Sequence, residues 1–316
     1  MNVSRLSLTV LLVASLCSGS CASPEPSRTY HFVFDQLVLG VAEPDGEEMV
    51  SDGLDLDGSD GPVSLPDGAP NPCSSHGDDP DYVSREGERG VDNRLGGQLE
   101  FFARILSGGD GTNTERIRSI FQESISAGLL IVLVEFDGVD SLLNDDNVMA
   151  RLYIGTGSAV AVGTDGRLLS GQTFLVNPDI PSVAQRVRIV DGVVELQGVQ
   201  TRLVGAISGI DLDMPMTSGR LRLTFHGDEV VTGVLGGALD WGALADVVGM
   251  IGGAADGLTV IARRTLQGLA DVVNPETGEC DGLSASFRVH GVPAFIYPSE
   301  VAAGDGVPGQ RADAGL

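Results

Sequence analysis

Val187-Arg188-Ile189-Val190-Asp191-Gly192-Val193-Val194-Glu195-Leu196 is the stretch that decides the fold. Two short runs of β-branched and leucine residues flank a two-residue Asp-Gly pair. That pair accepts positive φ at both central turn positions, and the resulting turn matches the right-handed twist of paired antiparallel strands. Similar short apolar runs lie on either side. Tyr30 to Leu39, Leu129 to Phe136, Val148 to Ile154, Ser158 to Val162, Thr201 to Ile207, Arg220 to Phe225, Leu283 to Val289 and Ala294 to Tyr297 all read as strands. Turn pairs such as Asp165-Gly166 and Gly227-Asp228 separate some of them.

Helical period is confined to two places. From Thr112 to Ala127, Ile117, Ile120, Phe121 and Ile125 share one face, with Thr112 and Glu115 at capping-box spacing and Gly128 as the stop. Asp240 to Ile251 and Asp256 to Val273 read as a helical hairpin with acidic N-caps. The expected fold class is therefore mainly β: an antiparallel β-sandwich or curled sheet, with one crossing helix and an inserted helical hairpin. Regular strand–helix alternation is missing, which argues against a doubly wound fold.

The N-terminus carries an address. Met1 to Arg5 holds one positive charge, Leu6 to Leu16 is apolar, and Ser18-Gly19-Ser20-Cys21 follows. This is the layout of an export signal. Two cuts are open. Ser18-Gly19-Ser20-Cys21 resembles the lipobox of bacterial lipoproteins, with Ser18 where that motif usually has leucine, and it implies acylation of Cys21 and a membrane anchor. An ordinary signal peptidase would instead cut after Ala22. The apolar run is shorter than the roughly 20 residues that span a bilayer. Residues 1–21 are thus expected to form the signal, 22–29 a tether, 30–302 a single β-rich domain with a long acidic loop at 42–94, and 303–316 a tail. In an oxidising compartment Cys73 and Cys280 are expected to form a disulfide.

The net charge is -25, and every basic residue is arginine. Nucleic acid is excluded as a partner, because such binding rests on neutralising phosphates with basic side chains. Schiff-base, phosphate-loop and Ser-Lys chemistry are excluded with lysine. No HExxH or Gly-x-Ser-x-Gly occurs; Gly282-Leu283-Ser284-Ala285-Ser286 falls one residue short. A hydrolase could only carry a site assembled from distant residues.

The acidic loop holds the expected metal site. Asp52-Gly53-Leu54-Asp55-Leu56-Asp57-Gly58-Ser59-Asp60 resembles the Asp-x-Asp-x-Asp-Gly calcium loops of EF-hand, dockerin and thrombospondin type 3 modules. Asp52, Asp55, Asp57 and Asp60 are the expected Ca²⁺ ligands, since calcium takes about six to eight oxygens and tight Asp/Gly turns gather them. Asp52 stands one residue out of register, and Ser64 stands where an EF-hand needs glutamate, so an EF-hand is excluded. Asp78, Asp79, Asp81 and Asp92 are available to complete a looser site. Arg186, Arg188, Arg220 and Arg222 alternate along two strands. They either grip anionic ligands or pair across strands with Asp and Glu.

The export signal with Cys21, the Asp52 to Asp60 loop running on to Cys73, and Gly90-Val91-Asp92-Asn93 together resemble uncharacterised Asp- and Gly-rich predicted lipoproteins of myxobacteria and related bacteria. The resemblance implies an envelope location and no particular activity. The expected role is structural, adhesive or ligand-binding and non-enzymatic, with bound calcium as a stabiliser. A carbohydrate- or polymer-binding module and a hydrolase with a dispersed site are the alternatives.

Overall fold

A computed structural model describes residues 27–46, 48–58, 72–73, 82–101, 121–207, 210–251, 256–275 and 277–297. The decisive hairpin is present. Asp191 and Gly192 have φ of 50° and 78°, and Val190 pairs with Val193 across them. The hairpin joins β7 (Val183–Val190) to β8 (Val193–Ile207).

Six further strands extend it into a ring. β1 (Arg28–Leu39) pairs with β4 (Val132–Val139), and β4 with β5 (Asp145–Ile154), which meets β7. On the other side β8 pairs with β9 (Ile210–His226), then come β10 (Val230–Asp240) and β12 (Cys280–Tyr297). Every pairing is antiparallel, and β12 returns to β1 with Leu39 opposite Phe287. The sheet is a closed eight-stranded barrel, which overturns the expected sandwich or curled sheet; its antiparallel, mainly β character stands. Closure is a contact between the first and last strands, and local periodicity carries no signal for it.

One belt of inward residues shows how the ring is filled. Phe32 faces Val134, Val134 faces Leu152, Leu196 faces Leu221, Leu221 faces Leu235, and Leu235 faces Phe287. All are at most 2% exposed. Phe136 meets Phe32 and Phe225 edge-on, with centroids 6.4 and 5.0 Å apart. Eight strands enclose an interior that side chains can fill, and here they do. β10 lies in a Gly/Ala-rich stretch with no strand expectation. A Cβ on Gly233 would collide with the Arg222 carbonyl, so glycine is what lets the two backbones close the barrel here.

The remaining elements decorate this ring. β2 (Ala42–Asp45) and β3 (Glu48–Ser51) form a small hairpin, β6 (Gln172–Leu175) runs parallel to the end of β12, and β11 (Val272–Val273) flanks its start. α1 (Arg94–Gly97) is a single turn capped by Asn93. The helical hairpin is α2 (Trp241–Ile251) and α3 (Asp256–Gln267), inserted between β10 and β12. Asp240 Oδ1 accepts from Ala243 N at 2.6 Å, the expected cap. α3 ends before the expected Val273 because Gly268 follows it and Val272 joins the sheet.

Of the crossing helix, residues 121–126 are helical and Gly128 ends them at φ 70°, while Thr112 and Glu115 lie outside the described residues. Ser158 to Val162 is not a strand; Val162 makes only an isolated bridge to Leu168. Among the described residues no helix is long and apolar enough to cross a membrane.

The described parts of the acidic region are packed rather than loose, contrary to the expected loop. Leu54, Tyr82 and Val91 are buried. Buried Asn93 donates to Ser51 Oγ at 2.7 Å and accepts from Gly96 N and from Ser286 N at 3.1 and 3.2 Å. A few apolar residues and one fully bonded amide suffice to seat a polar segment on the barrel wall. The Cys73–Cys280 disulfide is formed and ties this region to the start of β12.

Candidate functional site

Strand alternation that turns the apolar belt inward turns a second set of residues outward. Two rows of cross-strand partners result. Glu195, Arg222, Val234, Arg288 and Val38 form one; Val193, Thr224, Thr232, His290 and Gln36 form the other. Both rows cross β8, β9, β10, β12 and β1. Asp52, Gly53, Leu54, Glu86 and Glu88 of the acidic region stand over them, and the space between is a cleft of about 850 Å³. Among the described residues no Phe, Tyr or Trp lines it.

The arginines are engaged. Arg220 binds Glu195, with Nη2 to Oε1 at 2.5 Å, and reaches the Asp55 carbonyl. Arg222 binds Glu88 at 2.6 Å and approaches Glu195 at 3.5 Å. Arg188 binds Asp146 at 2.6 Å, and Arg186 donates to Asn147. Of the two expectations for these residues, pairing with neighbouring acceptors is the one realised.

Burial pushes the Glu195 carboxyl up, but Arg220 and Arg222 outweigh it and hold the group below the usual carboxylate range. On the wall formed by β1, β4 and β5, the hydrogen bond from His31 at 3.1 Å, with help from Arg151, likewise holds Glu135 down against burial. A depressed carboxyl protonates first in the unfolded chain. Its stabilisation is complete above the unfolded value and disappears as pH falls through the folded one. Asp281 works in the opposite sense, being raised by burial with Asp240 and Glu279 adding. Asp145 is also held down: burial pushes it up, but the backbone N–H groups of Asn147, Asp140 and Ser141 outweigh that. Three lowered carboxyls against one raised carboxyl predict a falling urea midpoint between about pH 5 and pH 3. Glu135→Gln should flatten that slope; a slope equal to that of the unmodified protein would refute the assignment.

The four expected calcium ligands are not one set. Asp52 is buried and faces cations: Oδ1 accepts from Arg85 Nε at 2.8 Å, and Arg288 Nε lies 3.4 Å from Oδ2. Asp55 and Asp57 instead meet Asp92, and one oxygen from each lies within 4.8 Å of the others. Asp55 accepts from Gly58 N at 2.6 Å, and Asp92 from Leu56 N at 2.5 Å. Asp60 and Cys21 lie outside the described residues. Oxygen donors of this kind suit a hard cation.

One constellation escaped the sequence reading. Register shifts between Phe34 and Gln36 of β1, a bulge that turns Asp35 out of the ladder. Asp35 is 2% exposed; its Oδ1 lies 2.6 Å from His290 Nδ1 and its Oδ2 lies 2.8 Å from Arg167 Nη2. Gln122 Nε2 donates to the Asp35 carbonyl at 3.0 Å. The available signal was a change of parity: Phe32 and Phe34 point inward from even positions, Leu37 and Leu39 from odd ones.

No protein-family model matches the chain, and neither a curated protein nor a solved structure matches it.

Proposed function

We propose that this chain is an exported envelope protein, held to a membrane through acylated Cys21, that binds a ligand in the cleft on the outer wall of its barrel. The observation that carries the binding role is the placement of open space. The barrel interior is filled by apolar side chains, whereas the cleft outside is lined by Gln36, Thr224, Thr232 and His290 beside ion-paired Arg222 and Arg288. The disulfide supports export, because such bonds persist in oxidising compartments.

With its guanidinium groups paired and Glu86 and Glu88 at the rim, the cleft favours an uncharged polar or cationic ligand over an anionic one. The lack of Phe, Tyr and Trp among its described lining residues disfavours a sugar stacked on a ring. A melting-temperature screen of neutral oligosaccharides, polyols and polyamines tests the reading. A true ligand stabilises by mass action, and Thr224→Trp, which fills the floor, should abolish the shift. A library without a hit, or a hit that shifts the Trp variant equally, sinks the cleft as the binding site.

Asp55, Asp57 and Asp92 are the place where calcium would steady the roof of that cleft. Calcium is then expected to raise the melting temperature, and a chelator to reverse it. Equal melts with and without the ion would remove metal from the function. Mass spectrometry of protein from its native membrane tests the anchor; an unmodified Cys21 would discard it.

A further inference from the structure

We propose that His290 is the general base of this cleft, and that the molecule bound there is an uncharged carboxylic ester which water hydrolyses. The proposal rests on the cleft reading above and names its ligand class. Three observations converge on this imidazole. Its Nδ1 is held by the carboxylate of Asp35 at 2.6 Å, and that carboxylate is fixed in turn by Arg167 at 2.8 Å. A buried acid on Nδ1 selects the tautomer whose lone pair sits on Nε2. Nε2 has no hydrogen-bond partner among the described residues, and the ring lines the cleft at 22% exposure. The bulge at Asp35 is what makes this possible, since regular alternation would not place a carboxylate behind the outward-facing residue of the next strand.

The surroundings choose the reaction. Thr232 stands opposite His290 in the ladder, but its hydroxyl already bonds His226 Nε2 at 2.7 Å. No hydroxyl is paired with His290 among the described residues, so water is the nucleophile assigned to this base. Nε2 takes a proton from water as its oxygen bonds to the ester carbon, and the carbonyl electron pair moves onto the carbonyl oxygen. Arg288 lies two residues along the same face, permanently charged and about half exposed; its Nε faces Asp52 at 3.4 Å, and the other end of the same guanidinium meets that oxyanion. Collapse breaks the acyl carbon–oxygen bond, and the imidazolium returns its proton to the departing alkoxide. Ester and water become acid and alcohol, and no other reagent is needed. Glu86, Glu88 and Asp52 around the cleft disfavour an anionic substrate.

The probes are p-nitrophenyl acetate and its anionic counterpart, mono-p-nitrophenyl succinate, with release of nitrophenolate followed from pH 5 to pH 9. The acetate should be turned over faster than the succinate. His290→Gln should lower kcat/KM by on the order of 10²-fold, whereas His226→Gln should leave it within twofold. Asp35 is a positioning residue: Asp35→Asn should lower the rate and displace the acidic limb of the pH–rate profile. His290 is only partly buried, unlike Asp35, so its Gln variant stays informative if the Asp35 variant fails to fold, and circular dichroism checks both. Wild-type turnover equal to that of His290→Gln, or a loss tracking His226 instead, overturns the proposal. A cleft ligand from the melting screen that still binds His290→Gln separates failure of the chemistry from failure of the binding site.

Discussion

Opening the Cys73–Cys280 bond is expected to remove about 4–5 kcal/mol of stability. The two cysteines are 207 residues apart, so the bond closes most of the folded chain into a loop. In the chain-entropy account a cross-link acts on the unfolded ensemble, and its effect grows with the logarithm of the loop. Domains of this kind hold only about 5–15 kcal/mol in all, so the loss is a large share of the whole. The folded state should barely change, because the region around Cys73 is also tied to β12 by other bonds. Arg94 N donates to Ser284 Oγ at 2.7 Å, Gly40 N to the Ser286 carbonyl at 2.8 Å, and Ser286 Oγ to the Asp52 carbonyl. The Cys73→Ser, Cys280→Ser double variant should therefore keep its circular dichroism spectrum while its melting point drops by about 10–15 °C. Urea unfolding with and without reductant supplies the free energy. Identical midpoints would show that the cross-link does not restrict the unfolded chain, and a collapsed spectrum that it organises the native one.

Much of the barrel was legible locally, and its closure was not. Alternation along Arg220-Leu221-Arg222-Leu223-Thr224-Phe225 separates the inner and outer faces correctly, and the Asp191-Gly192 turn fixes a register. Nothing near Leu39 says that Phe287 is its neighbour, and a sandwich would use the same strands and turns. β10 escaped because its glycines depress strand character while meeting a need for close backbone approach, which only the folded neighbours reveal. The cleft shows the same division. Gln36, Val38, Val193 and Thr224 on its floor are outward positions of recognised strands, whereas Thr232 and Val234 lie on the unrecognised β10, and the assembly across five strands depends on closure. The surroundings of Asp52 were hidden for a related reason: spacing places it beside Asp55 and Asp57, and only tertiary contact reveals Arg85 and Arg288 as its partners.

Asp35→Ala is expected to cost up to about 3–5 kcal/mol, because it removes the buried member of an ion pair and leaves a partly buried guanidinium behind. Arg167 Nη2 sits 2.8 Å from the carboxylate without a well-aligned hydrogen bond, and among the described residues its Nε has no acceptor. Without Asp35 those two nitrogens lose their counter-charge, and only the solvent-exposed part of the Arg167 side chain is compensated by water. A double-mutant cycle separates the two sources of the loss. If the orphaned charge dominates, Asp35→Ala combined with Arg167→Ala should recover part of what Asp35→Ala alone loses, a coupling readable by urea unfolding. Additive losses would assign the effect to the β1 bulge instead. The apolar exchange, Asp35→Leu with Arg167→Met, bears on why the charges are there. Replacing a buried pair by packed hydrophobic side chains is often neutral or stabilising by about 1–4 kcal/mol. Should the exchange leave the barrel as stable as before while ester turnover disappears, the bulged carboxylate is retained for what it does to His290 and not for holding the fold. A barrel that falls apart under the same exchange would make Asp35 a structural residue and His290 merely its partner.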